Sequence, residues 1–130
     1  MKIDFGSQTP IFLQLSQGLE DEILSGVYRE GEQIPSITEL AASYKINPAT
    51  ALKGINLLVD AGIVYKKRGI GMFVAEGAKA AIMKKRKEHF FDDYIKGLLS
   101  EAASLGISRK ELIEMIADAG ETEKKTPEKG

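Results

Sequence analysis

Five basic side chains and two acidic ones lie between residues 36 and 75, although the 130-residue chain has a formal net charge of −1. The five cations are Lys45, Lys53, Lys66, Lys67 and Arg68. Ammonium and guanidinium groups gathered in this way attract phosphate oxygens, and a local basic patch is the electrostatic footprint of a nucleic-acid-binding protein. Contact with a phosphate backbone is therefore the first chemistry to consider.

Side chains suited to catalysis or metal binding are scarce in this sequence. It has no cysteine and one histidine, His89, which excludes disulfides, thiolate metal sites and a multi-histidine zinc site. The same shortage leaves no paired nucleophile and base, and no GxxxxGK[ST] phosphate loop is present. We predict no enzyme, no catalytic residue, no metal and no cofactor, although composition alone leaves a carboxylate metal site open.

Two short helices joined by a brief turn would position the basic patch. SITE (36–39) matches a capping box and opens the first helix, and YKI (44–46) forms the turn. Asn47 caps the second helix, Pro48 occupies its first position, and DAG (60–62) ends it. Two helices at this spacing are typical of a helix-turn-helix.

A longer helix precedes this pair. The pattern predicts a helix from Pro10 to about Ser25, with Thr9 as its N-cap and Gly26 just past its end. Its apolar residues recur at helical spacing, so one face should be buried against the helix-turn-helix. The segment at 28–35 is interpreted as a polar loop.

A hairpin follows the helix-turn-helix. The β-prone runs at 63–65 and 72–74 enclose KKRGIG, which is a basic, glycine-containing hairpin tip. A helix-turn-helix followed by a hairpin is a winged helix, and here the predicted wing runs from Lys66 to Gly71.

The remainder of the sequence reads as a helical hairpin. A long helical pattern runs from about Ala78 to Leu105, Gly106 ends it, and SRKE (108–111) is a second capping box that opens a short helix. These helices have much apolar surface and little core of their own, which indicates a dimer interface. The predicted interface consists of Phe90, Phe91, Tyr94, Ile95, Leu98, Leu99, Leu112 and Ile116.

These patterns predict three regions. A winged helix-turn-helix DNA-binding domain is expected at 1–76, a helical dimerisation region at 77–120, and a disordered polar tail at 121–130. KKRK (84–87) lies on a helix of mixed charge, so we interpret it as a solvated face rather than a second DNA patch. His89 is interpreted as an interface or surface residue.

In a helix-turn-helix, the N-terminal residues of the second helix meet the base edges in the major groove. Ala49 and the methyl group of Thr50 could touch a thymine methyl, and Lys53 could reach guanine or phosphate. Free amides at this helix end would also favour a phosphate. Taken singly, Asn47 is explained as a cap and Thr50 as a solvated residue, so the interpretation depends on their conjunction with the basic wing.

Four segments carry a resemblance to a known family: PIFLQLSQGLEDEILSG (10–26), EGEQIPSITELA (30–41), INPATALKGINLLVDAGIV (46–64) and KRGIGMFVA (67–75). Together they resemble the winged-helix domain of the GntR family of bacterial transcription regulators. The short helical remainder resembles the YtrA-type subfamily, which implies a dimer that represses a transporter operon or its own gene. The resemblance implies DNA contacts at Ser36, Thr50, Lys53, Arg68, Gly69 and Gly71.

Two positions depart from the pattern of that family. Thr38 stands where the family usually has an arginine that touches DNA. Lys45 stands in the turn where glycine is frequent, so either this lysine adopts a left-handed conformation, at roughly 1–2 kcal/mol, or the turn differs. Without the arginine, the DNA affinity and the operator sequence are expected to differ from those typical of the family, whereas the fold is not.

The sequence therefore predicts a mainly α fold with a small β-hairpin, a winged helix-turn-helix followed by a two-helix dimerisation tail. We expect a cytoplasmic, dimeric repressor without a membrane span, bound to a palindromic operator in double-stranded DNA. An alternative is a winged-helix protein-interaction module without specific DNA binding, and a small-molecule effector stays open. The predicted DNA-binding residues are Ser36, Thr38, Lys45, Asn47, Ala49, Thr50, Lys53, Lys66, Lys67, Arg68, Gly69 and Gly71.

Overall fold

Six α-helices and three short strands make up the computed structural model, which describes the backbone of residues 1–125 and the side chains of residues 1–120. The helices are α1 Ile11–Leu24, α2 Ile37–Tyr44, α3 Pro48–Asp60, α4 Ala78–Phe90, α5 Lys96–Ser104 and α6 Arg109–Lys125, with a π-helical segment Phe91–Ile95 between α4 and α5. The strands β1 Gln33–Ile34, β2 Val64–Lys67 and β3 Gly71–Val74 form an antiparallel sheet in the order β1-β3-β2. The predicted fold class, a mainly α winged helix-turn-helix, is confirmed.

The described part of the chain divides into two compact units, the first of residues 1–86 and the second beginning at residue 87. In the first unit, the apolar stripe of α1 packs against α3, and the sheet and α2 close over the same core. The side chains that α1 and α3 bury completely there are Leu15, Leu19, Ile23, Ala51, Ile55 and Leu58. This core holds α3, the second helix of the helix-turn-helix, in a fixed position against α1.

Gly54 sets how closely α1 and α3 approach each other. A Cβ atom at this buried position would lie 2.7 Å from the carbonyl oxygen of Phe12 and 3.3 Å from Cδ2 of Leu15. The first contact is with backbone, which cannot turn aside as a flexible side chain does. Glycine is therefore required for the observed packing of the two helices.

Two details of the first unit differ from the sequence-based predictions. Thr9 is not the N-cap of α1, because the carbonyl group of Pro10 accepts the first helical hydrogen bond, from Gln14, at 3.0 Å. Pro10 itself has the extended backbone of a cap. The predicted polar loop at 28–35 contains β1, whose two residues are too few to show strand alternation in the sequence.

Helix α4 begins at Ala78, within the first unit, and that unit ends at Arg86, ten residues beyond the predicted domain end at 76. Ala78 and Ile82 are buried in the core that α1 and α3 form. The Glu30 carboxylate caps the helix, since it accepts hydrogen bonds from the backbone N–H groups of Gly77, at 2.9 Å, and Lys79, at 3.3 Å. These backbone hydrogen bonds lower the pKa of Glu30 below its ordinary value.

A buried carboxylate also ties α4 to α1. Glu20 is 1 % exposed and accepts hydrogen bonds from Lys85 and from Arg86, the latter at 3.0 and 3.1 Å. Arg86 also donates to Asp21 at 2.9 Å. Burial alone would lower the pKa of Arg86, but the hydrogen bonds that it donates to Asp21 and Glu20 outweigh this effect, and the pKa is raised. The prediction that KKRK (84–87) is a solvated face is therefore wrong for Lys85 and Arg86, because a buried carboxylate needs cationic partners.

The second unit contains the end of α4, the π-helical segment, α5 and α6. The predicted capping box is confirmed: the Glu111 N–H donates to Ser108 Oγ at 3.1 Å and the Ser108 N–H donates to the Glu111 carboxylate at 3.0 Å. The helix it opens is longer than predicted and continues to Lys125. The predicted disordered tail at 121–130 is therefore wrong for residues 121–125, which continue the helix, and residues 126–130 lie outside the described residues.

Gly54→Ala should lower the free energy of unfolding by about 1–3 kcal/mol, because the added methyl group overpacks the contact between α1 and α3. Gly97→Ala is the matched control, since a Cβ at Gly97 meets nothing within 4 Å. That change should be neutral or stabilising, as alanine is favoured over glycine in helices by about 1 kcal/mol. Urea unfolding followed by circular dichroism measures both. Equal losses of stability in the two variants would contradict the role given to Gly54.

Candidate nucleic-acid interface

The start of α2 is fixed by the predicted capping box. The Glu39 N–H donates to Ser36 Oγ at 3.0 Å, and the Ser36 N–H donates to the Glu39 carboxylate at 2.8 Å. Ser36 is exposed, and so is Thr38, the second residue of the helix. The hydroxyl group of Ser36 already accepts a hydrogen bond from the protein, and its proton stays available for a phosphate oxygen.

The turn between α2 and α3 contains the left-handed residue that the sequence left as one of two alternatives. Lys45 has φ 54° and ψ 50°, and it is the only residue other than glycine with a positive φ in the described part of the chain. Its N–H donates to the carbonyl of Ala41, as does that of Ile46 at 3.0 Å. Lys45 therefore adopts the left-handed conformation that a glycine at this position would adopt without strain.

The first turn of α3 is capped and exposed. Asn47 Oδ1 accepts a hydrogen bond from the N–H of Ala49 at 2.7 Å, and Pro48 occupies the first helical position, as predicted. The Thr50 N–H donates to the Asn47 carbonyl at 3.0 Å. Because proline has no N–H, these first amides are all absent or occupied. A phosphate at this helix end stays a prediction, and in this structure the groups without a partner there are side chains.

Lys53 lies on α3 beside the close contact with α1. Its ammonium group sits 4.2 Å from the centroid of the Phe12 ring, while its side chain remains exposed. A cation–π contact at an exposed site contributes about 0.5–1 kcal/mol, little enough for the ammonium group to leave the ring for a phosphate or a guanine. Sequence reasoning missed Phe12, because two residues on different helices reveal no pairing in the sequence.

The wing is narrower than predicted. Its ladder runs from Val64↔Val74 to Lys67↔Gly71, so Lys66 and Lys67 belong to β2 and only residues 68–70 form the turn. The Ile70 N–H donates to the Lys67 carbonyl at 3.0 Å. Aromatic rings support the base of the wing.

Two contacts show how that support is built. Tyr65 and Phe73 stack with their ring centroids 5.7 Å apart, and the Lys67 ammonium group lies 4.9 Å from the centroid of the Phe73 ring. These rings fix the base from which Arg68 projects. From the sequence, Phe73 could be assigned to a strand, but its contacts with Tyr65 and Lys67 could not be predicted.

The cations of the basic patch are exposed to solvent and lie beyond salt-bridge distance of the described carboxylates. All five predicted cations have exposed side chains. Among the residues whose side chains are described, none of the five lies within salt-bridge distance of a carboxylate. By contrast, Lys85 and Arg86 are held by Glu20 and Asp21. The structure therefore separates a structural set of cations from a set free to bind anions.

The predicted dimer residues differ in exposure. Phe90, Phe91, Tyr94, Leu98 and Ile116 are exposed in the single chain. Ile95 and Leu99 are half-buried, whereas Leu112 is 7 % exposed. Leu112 therefore already packs within its own chain and has little surface left for a partner.

Two other kinds of site were sought in the described part of the chain. No group of three or more His, Asp or Glu side chains there could hold a metal ion. No helix within the described residues is long and apolar enough to cross a membrane.

Comparisons with known proteins agree with this architecture. The family of bacterial regulatory proteins called gntR matches residues 13–74. The HTH-type transcriptional repressor YtrA of Bacillus subtilis is 31% identical over 118 residues, which are 91% of this chain and 90% of YtrA. The HTH-type transcriptional regulator YhcF of the same organism is 30% identical over 89% of this chain and 94% of its own.

A solved structure is similar over both units. The crystal structure of a transcriptional regulator assigned to the GntR family, from Bacteroides thetaiotaomicron, has a TM-score of 0.70 and 36% sequence identity. The match covers 87% of this chain and 98% of that chain. The likeness is thus not confined to the winged helix.

Lys45→Gly should raise the free energy of unfolding by about 1 kcal/mol, because glycine adopts the left-handed conformation without strain. Lys45→Ala is the control, since it removes the same charge but keeps the Cβ atom that causes the strain. Urea unfolding of both variants distinguishes the two effects. Equal stability of the glycine and alanine variants would show that Lys45 is not strained.

Proposed function

Because this chain belongs to the GntR family of bacterial transcription regulators and fits its YtrA-type subfamily, we propose that it acts as a dimeric repressor on a palindromic operator. Members of this family are DNA-binding transcription regulators and not enzymes. The observation that carries the proposal for this chain is the capped, exposed start of α3 beside cations that no described carboxylate neutralises.

In the proposed complex, α3 enters the major groove with its first turn towards the bases. Ala49 and the Thr50 methyl group contact thymine methyl groups, and Lys53 leaves the Phe12 ring to reach guanine or a phosphate. Asn47 stays a cap that orients this turn. Ser36, Thr38 and Lys45 contact the sugar–phosphate backbone from α2 and the turn, which fixes orientation without reading sequence.

The wing supplies the remaining contacts. Lys66, Lys67 and Arg68 place positive charge along the backbone or at the minor groove. Gly69 leaves no side chain between the wing backbone and the DNA, whereas the space beside Gly71 holds the Gln33 amide, so any DNA contact of Gly71 is made by its backbone. Because these contacts are ionic, affinity should fall steeply as salt rises.

The proposed dimer forms through the second unit. Large apolar side chains exposed together, such as Phe90 and Tyr94, whose ring centroids are 5.3 Å apart, are typical of a surface that a second copy covers. Two-fold symmetry would then present two copies of α3 to successive major grooves roughly 34 Å apart. We place such a dimer in the cytoplasm, where the operator of a transporter operon or of its own gene is accessible.

A protein-interaction module without specific DNA binding is the second candidate. Thr38 in place of the usual arginine and the near-zero net charge favour it. Duplex binding that weakens with salt separates the two candidates, because such a module should not bind duplex DNA. A small-molecule effector is compatible with either.

Lys53→Ala should weaken binding to a duplex selected from a random library by about 1–3 kcal/mol and should relax the base preference at one position. Arg68→Ala should weaken binding to all duplexes alike and should reduce the salt slope by about 1. Fluorescence anisotropy at several salt concentrations measures both effects. Lys84→Ala, an exposed lysine of α4, is the matched control for charge. If both variants bind like this control, the proposed docking is wrong.

Phe90→Ser combined with Tyr94→Ser should raise the dimer dissociation constant at least about thirtyfold, since buried aromatic anchors each contribute about 2 kcal/mol or more to an interface. Sedimentation velocity over a concentration series measures this constant. Val27→Ser, which also removes an exposed apolar side chain but from the first unit, should leave it unchanged. A wild-type chain that stays monomeric, or a double variant that dimerises like wild type, would contradict the proposed interface.

A further inference from the structure

The wing has little internal support for its tip. Only residues 68–70 join the two strands, and Gly69 and Gly71 on either side of Ile70 have φ values of 75° and 147°. Within the turn, the Ile70 N–H donates a hydrogen bond to the Lys67 carbonyl. A turn with two glycines loses more conformational freedom when ordered than other turns do, so a further contact is needed to hold it.

Gln33 provides that contact from outside the hairpin. Its side-chain Nε2 donates a hydrogen bond to the carbonyl oxygen of Ile70 at 3.1 Å, although the two residues are 37 positions apart. The pairing of Gln33 with Phe73 in the sheet places the side chain there. Strand β1 thus brings an amide group to the tip of the wing.

Gly71 makes room for this amide group. A Cβ atom at Gly71 would collide with Nε2 of Gln33, so the side chain lies against the bare backbone of the wing. The backbone conformation of Gly71 is also one that side chains rarely allow. Gln33 and Gly71 therefore fit each other, and the carbonyl oxygen of Ile70 is held in one orientation.

We infer that Gln33 is a positioning residue that holds the wing, and with it Arg68, in the conformation that contacts DNA. This inference rests on the proposed DNA-binding function. Gln33 acts through the Ile70 peptide and not by touching DNA. Its side chain is exposed, so its contribution to global stability is small, whereas its effect on the order of the wing is large.

Gln33→Met tests the inference, because methionine has a similar length but no N–H to donate. Duplex affinity should fall about fivefold, the equivalent of one hydrogen bond. The melting temperature should not change, and the Ile70 amide should exchange faster with solvent. Gln17→Met, which changes an exposed glutamine of α1, is the matched control and should affect none of these.

A double-mutant cycle shows whether Gln33 acts through the wing. In an Arg68→Ala background, Gln33→Met should weaken binding less than about twofold, since the positioned group is already missing. A full loss in that background, or unchanged exchange of the Ile70 amide, would overturn the inference. If the wild-type chain binds no duplex, the proposed function fails. Faster Ile70 exchange in Gln33→Met would then show a contact that holds the wing for some purpose other than DNA.

Discussion

The close approach of α1 and α3 at Gly54 is the constraint on which the other features of the winged helix depend. The carbonyl of Phe12 lies where a larger residue would collide, and the ring of the same Phe12 lies under the Lys53 ammonium group. One residue of α1 therefore sets both the position of the proposed recognition helix and the resting position of its lysine. A shift of α1 would move the two together.

Helix α1 also fixes the position of the part of α4 that belongs to the first unit. About two turns after Phe12, Glu20 is buried and binds Lys85 and Arg86 of α4. Unpaired buried charge is strongly unfavourable, so this carboxylate restricts α4 to the arrangement that supplies both cations. The cations of the chain thus serve two purposes. Lys85 and Arg86, which bind Glu20, maintain the fold. The cations of the basic patch are not paired with any described carboxylate, and we propose that they bind DNA.

Local sequence chemistry was enough to predict much of the fold and much of the site. The capping boxes at Ser36 and Ser108 and the Asn47 cap involve residues two or three positions apart, and each is confirmed. The left-handed Lys45 could be stated as one of two alternatives because the resembling family often has glycine at this position of the turn.

Long-range contacts were beyond that reasoning. The pairs Glu20–Lys85, Lys53–Phe12 and Gln33–Ile70 join different elements, and neither periodicity nor spacing shows them. The strand β1 was missed for the same reason, since only its pairing with β3 makes two residues a strand. The residues proposed to touch DNA and the local caps could be predicted, whereas the long-range contacts that hold the elements together could not.

Selection of duplexes from a random library by the full chain, read by sequencing at two salt concentrations, would show whether a dimer of this chain reads DNA. We expect enrichment of a two-fold symmetric motif whose half-sites lie about one helical turn, or a multiple of it, apart. We also expect binding to fall steeply at the higher salt concentration. No enrichment at low salt, or a motif without symmetry, would contradict a dimer that reads DNA with two copies of α3.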